Sequence, residues 1–169
     1  MVYYLLHHRD ISSLHFFHNK TKYDKENLLL ISSSLDSTIQ IYNENDYDTS
    51  MKLKTFMGGH TIHEKKLEIL CMDFSPYLSQ LASGSSHGLI VLWDFDYSKI
   101  EKALYLNPKY WGIKLDVISL RYLNNYPLLF ASYFDGLCIL WNVKLSPSEI
   151  VLKFHNFYQT MSKLDTCDI

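Results

Sequence analysis

The sequence is poor in the residues that mark several classes of protein. Among its 169 residues are only six glycines and four prolines, too few for a collagen-like chain. The apolar run at residues 2–6 is too short for a signal-peptide core, and no other run approaches the roughly 20 residues of a membrane helix. The composition is 47% hydrophobic and 15% aromatic, which excludes a wholly disordered chain and predicts one globular domain.

Cysteine is also scarce. Cys71, Cys138 and Cys167 make an odd count with no close spacing, whereas a secreted domain of this size more often carries an even disulfide framework. The sequence therefore predicts a cytoplasmic protein with no membrane partner.

Arginine is nearly absent, with two residues among the 16 basic ones, and the net charge is −2. A balanced charge gives no general reason to bind nucleic acid, and few guanidinium groups are present to read phosphates or bases. We therefore expect no nucleic-acid partner, although association through lysine clusters remains an alternative. Those clusters are Lys20, Lys22 and Lys25, and Lys52, Lys54, Lys65 and Lys66.

The sequence contains an internal repeat. Segments 29–43, 80–94 and 128–142 each read as an apolar run, small polar residues, a turn, an alternating run, an aromatic residue and then Asp or Asn. The closing aromatic residues Tyr42, Trp93 and Trp141 lie 51 and 48 residues apart. A period near 50 is typical of propeller blades.

Each repeat predicts four strands. The turns Asp36-Ser37, His87-Gly88 and Asp135-Gly136 indicate a hairpin inside each segment. Further strand-like runs precede the segments (11–17, 67–74, 117–123) and follow them (51–57, 99–106, 149–154). The predicted units are about 10–57, 58–106 and 113–154, within a propeller segment spanning 1–154.

The second unit resembles the WD-repeat family. The residues that carry the resemblance are Gly59-His60, the run 67–76, Leu81-Ala-Ser-Gly-Ser85 and Ile90-Val-Leu-Trp-Asp94, with a second copy at 118–142 and a weaker one ending at Tyr42. The stretch 126–132 also resembles a subgroup with cilium-associated members. The resemblance implies an all-β, partial β-propeller of about three four-stranded WD-type blades.

The family's blades carry a hydrogen-bonded tetrad of His, Ser or Thr, Asp and Trp. The resemblance places its members at structural repeat positions in this sequence, and no unit has all four. Unit one has Ser32 and Asp36 but ends in Tyr42. Unit two has His60, Ser83, Trp93 and the closing Asp94, but His87 stands in the Asp position. Unit three has Asp135 and Trp141, but Ala131 stands in the hydroxyl position.

Three blades are fewer than the four to eight of a closed propeller, and closure is what protects strand edges. The sequence is therefore part of a longer protein, or the ring is completed by a second copy or by another propeller segment. The run at residues 2–6 would be the outer strand of a preceding or partner blade. In the tail, 155–169, apolar residues at helical spacing predict a short C-terminal helix that caps the sheets or docks on a partner.

Catalytic and metal sites are weakly indicated. Gly84-Ser-Ser-His-Gly88 matches a nucleophile elbow, but that motif needs a helix next, and residues 89–93 are strand-like. A hydrolase using Ser86 is thus only an alternative. His60 and His63 lack further ligands at zinc-site spacing, so we expect no metal and no cofactor. The carboxylates of Asp73, Asp94 and Asp96 are expected at strand ends or outer faces, where charge is solvated.

The function that the resemblance implies is a non-enzymatic scaffold for protein–protein interactions within a larger assembly. Aromatic anchors in propeller loops carry much of the binding energy of such interfaces. Tyr110 and Trp111 in the loop 108–113 are the candidate partner-binding residues.

Overall fold

The computed structural model describes residues 7–20, 26–43, 52–106, 115–145 and 149–154. These residues form three four-stranded sheets, which we call the first, second and third blades. The first contains β1 (Ile11–Lys20), β2 (Glu26–Ser34), β3 (Ile39–Asn43) and β4 (Lys52–Phe56). A small hairpin of β5 (Thr61–Ile62) and β6 (Lys65–Lys66) follows. The second contains β7 (Ile69–Ser75), β8 (Gln80–Ser85), β9 (Ile90–Asp94) and β10 (Lys99–Leu104), and the third β11 (Val117–Tyr122), β12 (Leu128–Tyr133), β13 (Cys138–Asn142) and β14 (Glu149–Phe154).

Each blade is an antiparallel meander, so the order of strands in the sheet is their order in the chain. The first strands β1, β7 and β11 contact one another from blade to blade and are the inner strands. The last strands β4, β10 and β14 form the outer edge of their blades. The inner strand of each blade carries a register shift near its start, which shows that the three sheets repeat one another in detail.

The hairpin turns need left-handed backbone. Ser37 and Gly136 have φ of 71° and 85° in the first and third blades. In the second blade both His87 and Gly88 are left-handed, with φ of 67° and 79°, within a short 3-10 turn at Ser86–Gly88. Asp36 and Asp135, which stand at the position of His87, are not left-handed, so the second turn differs from the other two at that residue. A non-glycine residue adopts this conformation at a steric cost.

Two hydrophobic cores fill the spaces between adjacent blades. Between the first and second blades, Trp93 packs edge-on against Phe56 at 5.5 Å between ring centroids. The other core joins β8 and β9 to the third blade and includes Ala82, Leu92 and Leu129, all fully buried. Each large side chain buried in this way contributes about 1.5–3 kcal/mol, so the blades stabilise one another.

Gly84 marks a close approach between the second and third blades. A Cβ atom at this position would lie 2.5 Å from Cγ1 of Val117 and 2.9 Å from Sγ of Cys71. The absence of a side chain therefore lets β11 pack directly on β8.

The predicted all-β fold of four-stranded antiparallel sheets is confirmed. Several strands begin and end within two or three residues of the predicted runs; for example, β4 spans Lys52–Phe56, and the predicted run is 51–57. The predicted C-terminal helix and the strand at residues 2–6 lie outside the described residues.

We expect Gly84→Ala to lower the free energy of unfolding by about 2 kcal/mol, because overpacking a tight interior contact typically costs 1–3 kcal/mol. Urea denaturation of the intact chain measures this. In a Val117→Gly background, which removes both Val117 atoms that the new methyl group would meet, at 2.5 and 2.8 Å, the additional cost of Gly84→Ala should be smaller. An equal cost in both backgrounds would contradict the assignment of this contact.

Candidate interaction surface

A buried hydrogen-bonded triad crosses the second blade. Oγ of Ser83 lies 2.6 Å from Nε2 of His60 and accepts a hydrogen bond of 2.7 Å from Nε1 of Trp93. The three residues are at most 1% exposed. His87, in the position of the family's aspartate, is exposed, and Nδ1 of His60 has no hydrogen-bond partner among the described residues.

The first blade carries a fuller version of this arrangement. Nε2 of His7 lies 2.8 Å from Oγ of Ser32, while Nδ1 of His7 lies 3.3 Å from Oδ2 of Asp36 and 3.0 Å from Oγ1 of Thr38. Tyr42 stands in the tryptophan position and donates its hydroxyl hydrogen to Oε1 of Gln40. His7 was not predicted from the sequence, although its spacing of 25 residues to Ser32 is close to the 23 between His60 and Ser83.

The third blade has the least complete set. Ala131 pairs with Ile139 on β13 at the register of Ser83, so the Ser83 hydroxyl has no counterpart on β12. Nε1 of Trp141 and the hydroxyl of Tyr133 are buried without a hydrogen bond of standard geometry in the described part of the chain. Burial raises the pKa of Tyr133, and the nearby Trp141 indole partly offsets that rise. Asp135 accepts a hydrogen bond of 3.0 Å from the amide of Leu137 and so closes the hairpin turn.

His60 and Asp36 also have shifted pKa values. Burial lowers the pKa of His60 to about 3, so the imidazole is neutral at physiological pH. Burial alone would raise the pKa of Asp36, but hydrogen bonds from Thr38 and from the amide of His8, together with the charge of His7, lower it overall. The first blade therefore keeps an ionised turn carboxylate, whereas the second blade has none.

A row of four side chains, one from each strand, runs across every blade. Cross-strand pairing defines the first row as His15, Ile31, Ile41 and Lys54, the second row as Asp73, Ala82, Leu92 and Lys102, and the third row as Arg121, Phe130, Leu140 and Leu152. The four middle residues of the first and second rows are fully buried beneath the next blade. Each row is thus the surface that one blade offers to its successor.

The outer ends of the first two rows hold the next blade through lysine. Nζ of Lys54 donates hydrogen bonds of 2.6 and 2.9 Å to the carbonyl oxygens of Phe95 and Asp96. Nζ of Lys102 does the same to Val143 and Leu145, at 2.8 and 2.7 Å. Hydrogen bonds from a charged donor are stronger than neutral ones, so each lysine fastens the turn between the third and fourth strands of the next blade.

The inner ends form a charged cluster around Asp73. Its Oδ2 accepts a hydrogen bond of 2.6 Å from the amide of Tyr122, and its Oδ1 lies 3.6 Å from Nη1 of Arg121 and 4.0 Å from Nδ1 of His15. The expectation of a solvated Asp73 at a strand end or outer face is wrong, because the residue lies within β7 and is 9% exposed. Its partners lie on β1 and β11, far away in sequence, and a scan of local pattern does not reveal them.

The third row differs from the first two at both ends and in its exposure. Leu152 replaces the lysine and is 53% exposed, and the side chain of Arg121 is 68% exposed. Leu140 and Cys138 are half-buried, whereas Ile41 and Ile39, which occupy the corresponding positions of the first blade, are fully buried. Because large exposed apolar patches are uncommon on soluble proteins, this face is a candidate interaction surface.

The remaining candidate residues have structural surroundings or lie outside the description. Asp94 accepts hydrogen bonds of 3.0 Å from the amides of Asp96 and Tyr97 and shapes a turn. Ser86 lies on a 3-10 turn that leads into strand β9 rather than into a helix. Tyr110 and Trp111 lie outside the described residues. In the described ranges, no three His, Cys, Asp or Glu side chains come together as a metal site, and no helix is long and apolar enough to span a membrane.

Comparison with known proteins fits this architecture. The family model described as WD domain, G-beta repeat matches residues 2–43 and 51–94, just over half of the chain. The chain belongs to the WD-repeat family. Among solved structures, this WD-repeat chain is similar to Sqt1 from Saccharomyces cerevisiae (TM-score 0.69, 21% identity, 89% of this chain and 40% of that one) and to Raptor from Chaetomium thermophilum (TM-score 0.67, 19% identity, 86% and 12%). The predicted propeller fold is confirmed.

Curated relatives are larger proteins. The WD-repeat chain is 26% identical over 132 residues to the chromatin assembly factor 1 subunit FAS2 homolog of Oryza sativa subsp. japonica, covering 75% of this chain and 25% of that protein. It is 31% identical over 74 residues to nuclear distribution protein PAC1-1 of Uncinocarpus reesii, covering 44% and 17%. The chain thus spans a quarter or less of these relatives, and the suggested cilium-associated subgroup gains no support from them.

We expect Ser83→Ala to lower the free energy of unfolding by about 2–4 kcal/mol, because it leaves two buried nitrogen atoms, on His60 and Trp93, without a partner. Chemical denaturation of the intact chain measures the loss. Ser86→Ala is the matched control, since Ser86 is only half-buried, and it should change stability by less than about 0.5 kcal/mol. Equal effects of the two substitutions would show that the triad contributes nothing.

Ala131→Ser should raise the stability of the third blade by about 1 kcal/mol, because it supplies an acceptor to Nε1 of Trp141 as Ser83 does to Trp93. The gain should vanish when Trp141 is replaced by Phe, which has no donor. Thermal unfolding of the four variants of this cycle measures the coupling. A gain that survives in the Trp141→Phe background would contradict this interpretation.

The pKa of His60 predicts a pH effect. Because the folded pKa of about 3 lies below the ordinary 6.5, the unfolded chain binds the extra proton first, and stability falls as pH drops below 6.5. At pH 5 the contribution is a loss of about 2 kcal/mol relative to pH 7. His60→Gln, which is less stable at pH 7, should lose less stability over this range. Parallel pH profiles of the two proteins, measured by urea denaturation, would contradict a buried neutral His60.

Proposed function

We propose that this WD-repeat protein is a non-enzymatic scaffold in a larger assembly and that the third blade binds another protein. The observation that carries the proposal is the third row, which remains exposed although its counterparts in the first two blades are buried under a following blade. Stacked repeats bury a continuous core, so an uncovered repeat face favours the binding of a further element.

A protein partner is better supported than the two alternatives. The surroundings of Ser86 lack the helix that a nucleophile elbow requires. Lys54, which the sequence analysis included in a basic cluster, donates its hydrogen bonds to backbone carbonyl groups and is not available for phosphates. The names of the curated relatives refer to chromatin assembly and nuclear distribution. We infer membership of a multiprotein assembly from them, and a cytoplasmic location stays a prediction from the sequence.

The ring is completed by a second copy of this chain, by another propeller segment, or by further blades if the sequence is part of a longer protein. Each of these elements would cover Cys138, a half-buried thiol on β13 that lies two residues before Leu140 and on the same face of the sheet. Cys71, by contrast, is already buried between blades. The two thiols therefore report separately on the open face and on the blade core. Tyr110 and Trp111 are retained as a second proposed contact.

The test combines light scattering of the intact chain with the rate at which maleimide labels Cys138 and Cys71 in a Cys167→Ser background, which removes the third thiol. A monomer with a reactive Cys138 and a protected Cys71 supports an open binding face. A dimer that shields Cys138 supports a scaffold completed by its own copy. A monomer in which both thiols are equally protected would overturn the proposal, because the face would already be covered. Cys138→Ser identifies the labelled site.

A further inference from the structure

A cleft of about 520 Å³ lies between the second and third blades, where the turn after β7 meets the turn after β11. Its volume falls within the range of ligand pockets, roughly 300–1,000 Å³, so it can admit a long side chain. Both walls belong to described strands and turns. The lining residues include Asp73, Tyr77, Arg121, Tyr122, Asn124 and Asn125.

Asp73 brings an unused hydrogen-bond acceptor to this cleft. The residue is 9% exposed, and its Oδ2 accepts a hydrogen bond of 2.6 Å from the amide of Tyr122. Its Oδ1 receives no hydrogen bond in the described part of the chain, because Nη1 of Arg121 lies at 3.6 Å and Nδ1 of His15 at 4.0 Å. A carboxylate oxygen removed from water without a donor is costly, so a donor that enters the cleft gains more here than at an exposed carboxylate.

The two neighbouring basic side chains leave this acceptor open. Burial lowers the pKa of His15, so its ring is uncharged at neutral pH. The guanidinium of Arg121 stands just beyond hydrogen-bond distance from Oδ1, and within the described ranges no hydrogen bond holds it there. It can therefore turn aside when another cation approaches Asp73.

The mouth of the cleft suits a long basic side chain. Tyr77, on the turn after β7, is 57% exposed, and the face of a tyrosine ring attracts cations. Asn124 and Asn125 are exposed on the turn after β11, and their side-chain amide oxygens can accept hydrogen bonds. An anionic ligand would instead meet the carboxylate of Asp73, and an apolar ligand would leave Oδ1 without a donor.

We propose that this cleft binds a lysine or arginine side chain of a partner polypeptide, with Oδ1 of Asp73 accepting a hydrogen bond from the charged group and Tyr77 lying along the aliphatic stem. The inference goes beyond the proposed function. The cleft lies between two blades of this chain, and binding there does not depend on what covers the third row.

The probes are four blocked pentapeptides with two alanines on each side of a central lysine, arginine, norleucine or glutamate. Norleucine has a stem like that of lysine without the charge. The readout is the NMR signal of the Tyr122 amide in the intact chain at neutral pH, because this amide donates to Asp73. We expect the lysine and arginine peptides to bind at least about fivefold more tightly than the norleucine peptide, since only they form a charge-assisted hydrogen bond.

Three variants locate the site. Asp73→Asn should abolish the preference for lysine over norleucine. Arg121→Gln should strengthen binding of the lysine peptide several-fold, because it removes a positive charge that lies 3.6 Å from Oδ1. Asp96→Asn is the matched control: it removes an exposed carboxylate from the turn between β9 and β10 and should leave all four peptides unchanged.

Equal binding of the lysine and norleucine peptides, or tighter binding of the glutamate peptide, would overturn the inference. Weaker binding of the lysine peptide by Arg121→Gln would also overturn it, and this result does not depend on whether Asp73→Asn folds. The proposed function fails separately, through a Cys138 that is unreactive in the free monomer before any peptide is added.

Discussion

The burial of one blade's cross-strand row beneath the next blade is the interaction on which the structure depends. It brings together apolar residues in the middle of the row, a charged contact at the inner end and a lysine at the outer end. In the first row these are Ile31 and Ile41, His15 and Lys54. A single four-stranded sheet has one face too apolar to remain in water, so each blade is stable only with a neighbour.

Within each blade, a second set of contacts joins the strands, and it weakens along the chain. The first blade links His7 to Ser32 and Asp36, the second has a triad around Ser83, and the third has only its turn aspartate Asp135. Buried polar groups without partners are costly, so the third blade has the least internal cross-linking. It also has the exposed row, and both features make it the blade that gains most from a bound partner.

Much of the fold could be predicted from the sequence because the repeat is local. Alternating runs, two-residue hairpin turns and closing aromatic residues recur at a spacing near 50, and the strands lie where those patterns indicated. The rows could not be predicted in the same way. The contacts of Asp73 come from β1 and β11, and those of Lys54 from a turn 41 residues away, so their roles depend on packing between blades.

The residues of the candidate site also differ in whether local sequence pattern or packing between strands and blades decides their role. Ser83 and Trp93 could be placed by comparison with the family pattern, since they share one hairpin. His7 precedes its partner Ser32 by 25 residues and lacks the preceding glycine of the pattern, so it was missed. Arg121 and Leu152 occupy the positions that Asp73 and Lys102 occupy in the second blade. This correspondence is seen only when the pairing of all four strands in each blade is known.

The most direct test of the account uses three positions that share one register: Ile39, Ile90 and Cys138. Single Ile39→Cys and Ile90→Cys variants, each made in a Cys138→Ser background, are compared with native Cys138 for their rates of maleimide labelling. All three proteins carry Cys167→Ser, so that this thiol does not contribute. The account predicts that positions 39 and 90, which are fully buried, react at least about a hundredfold more slowly than position 138, since their labelling requires blades to separate. Similar rates at all three positions would contradict the claim that the third blade alone offers an open row.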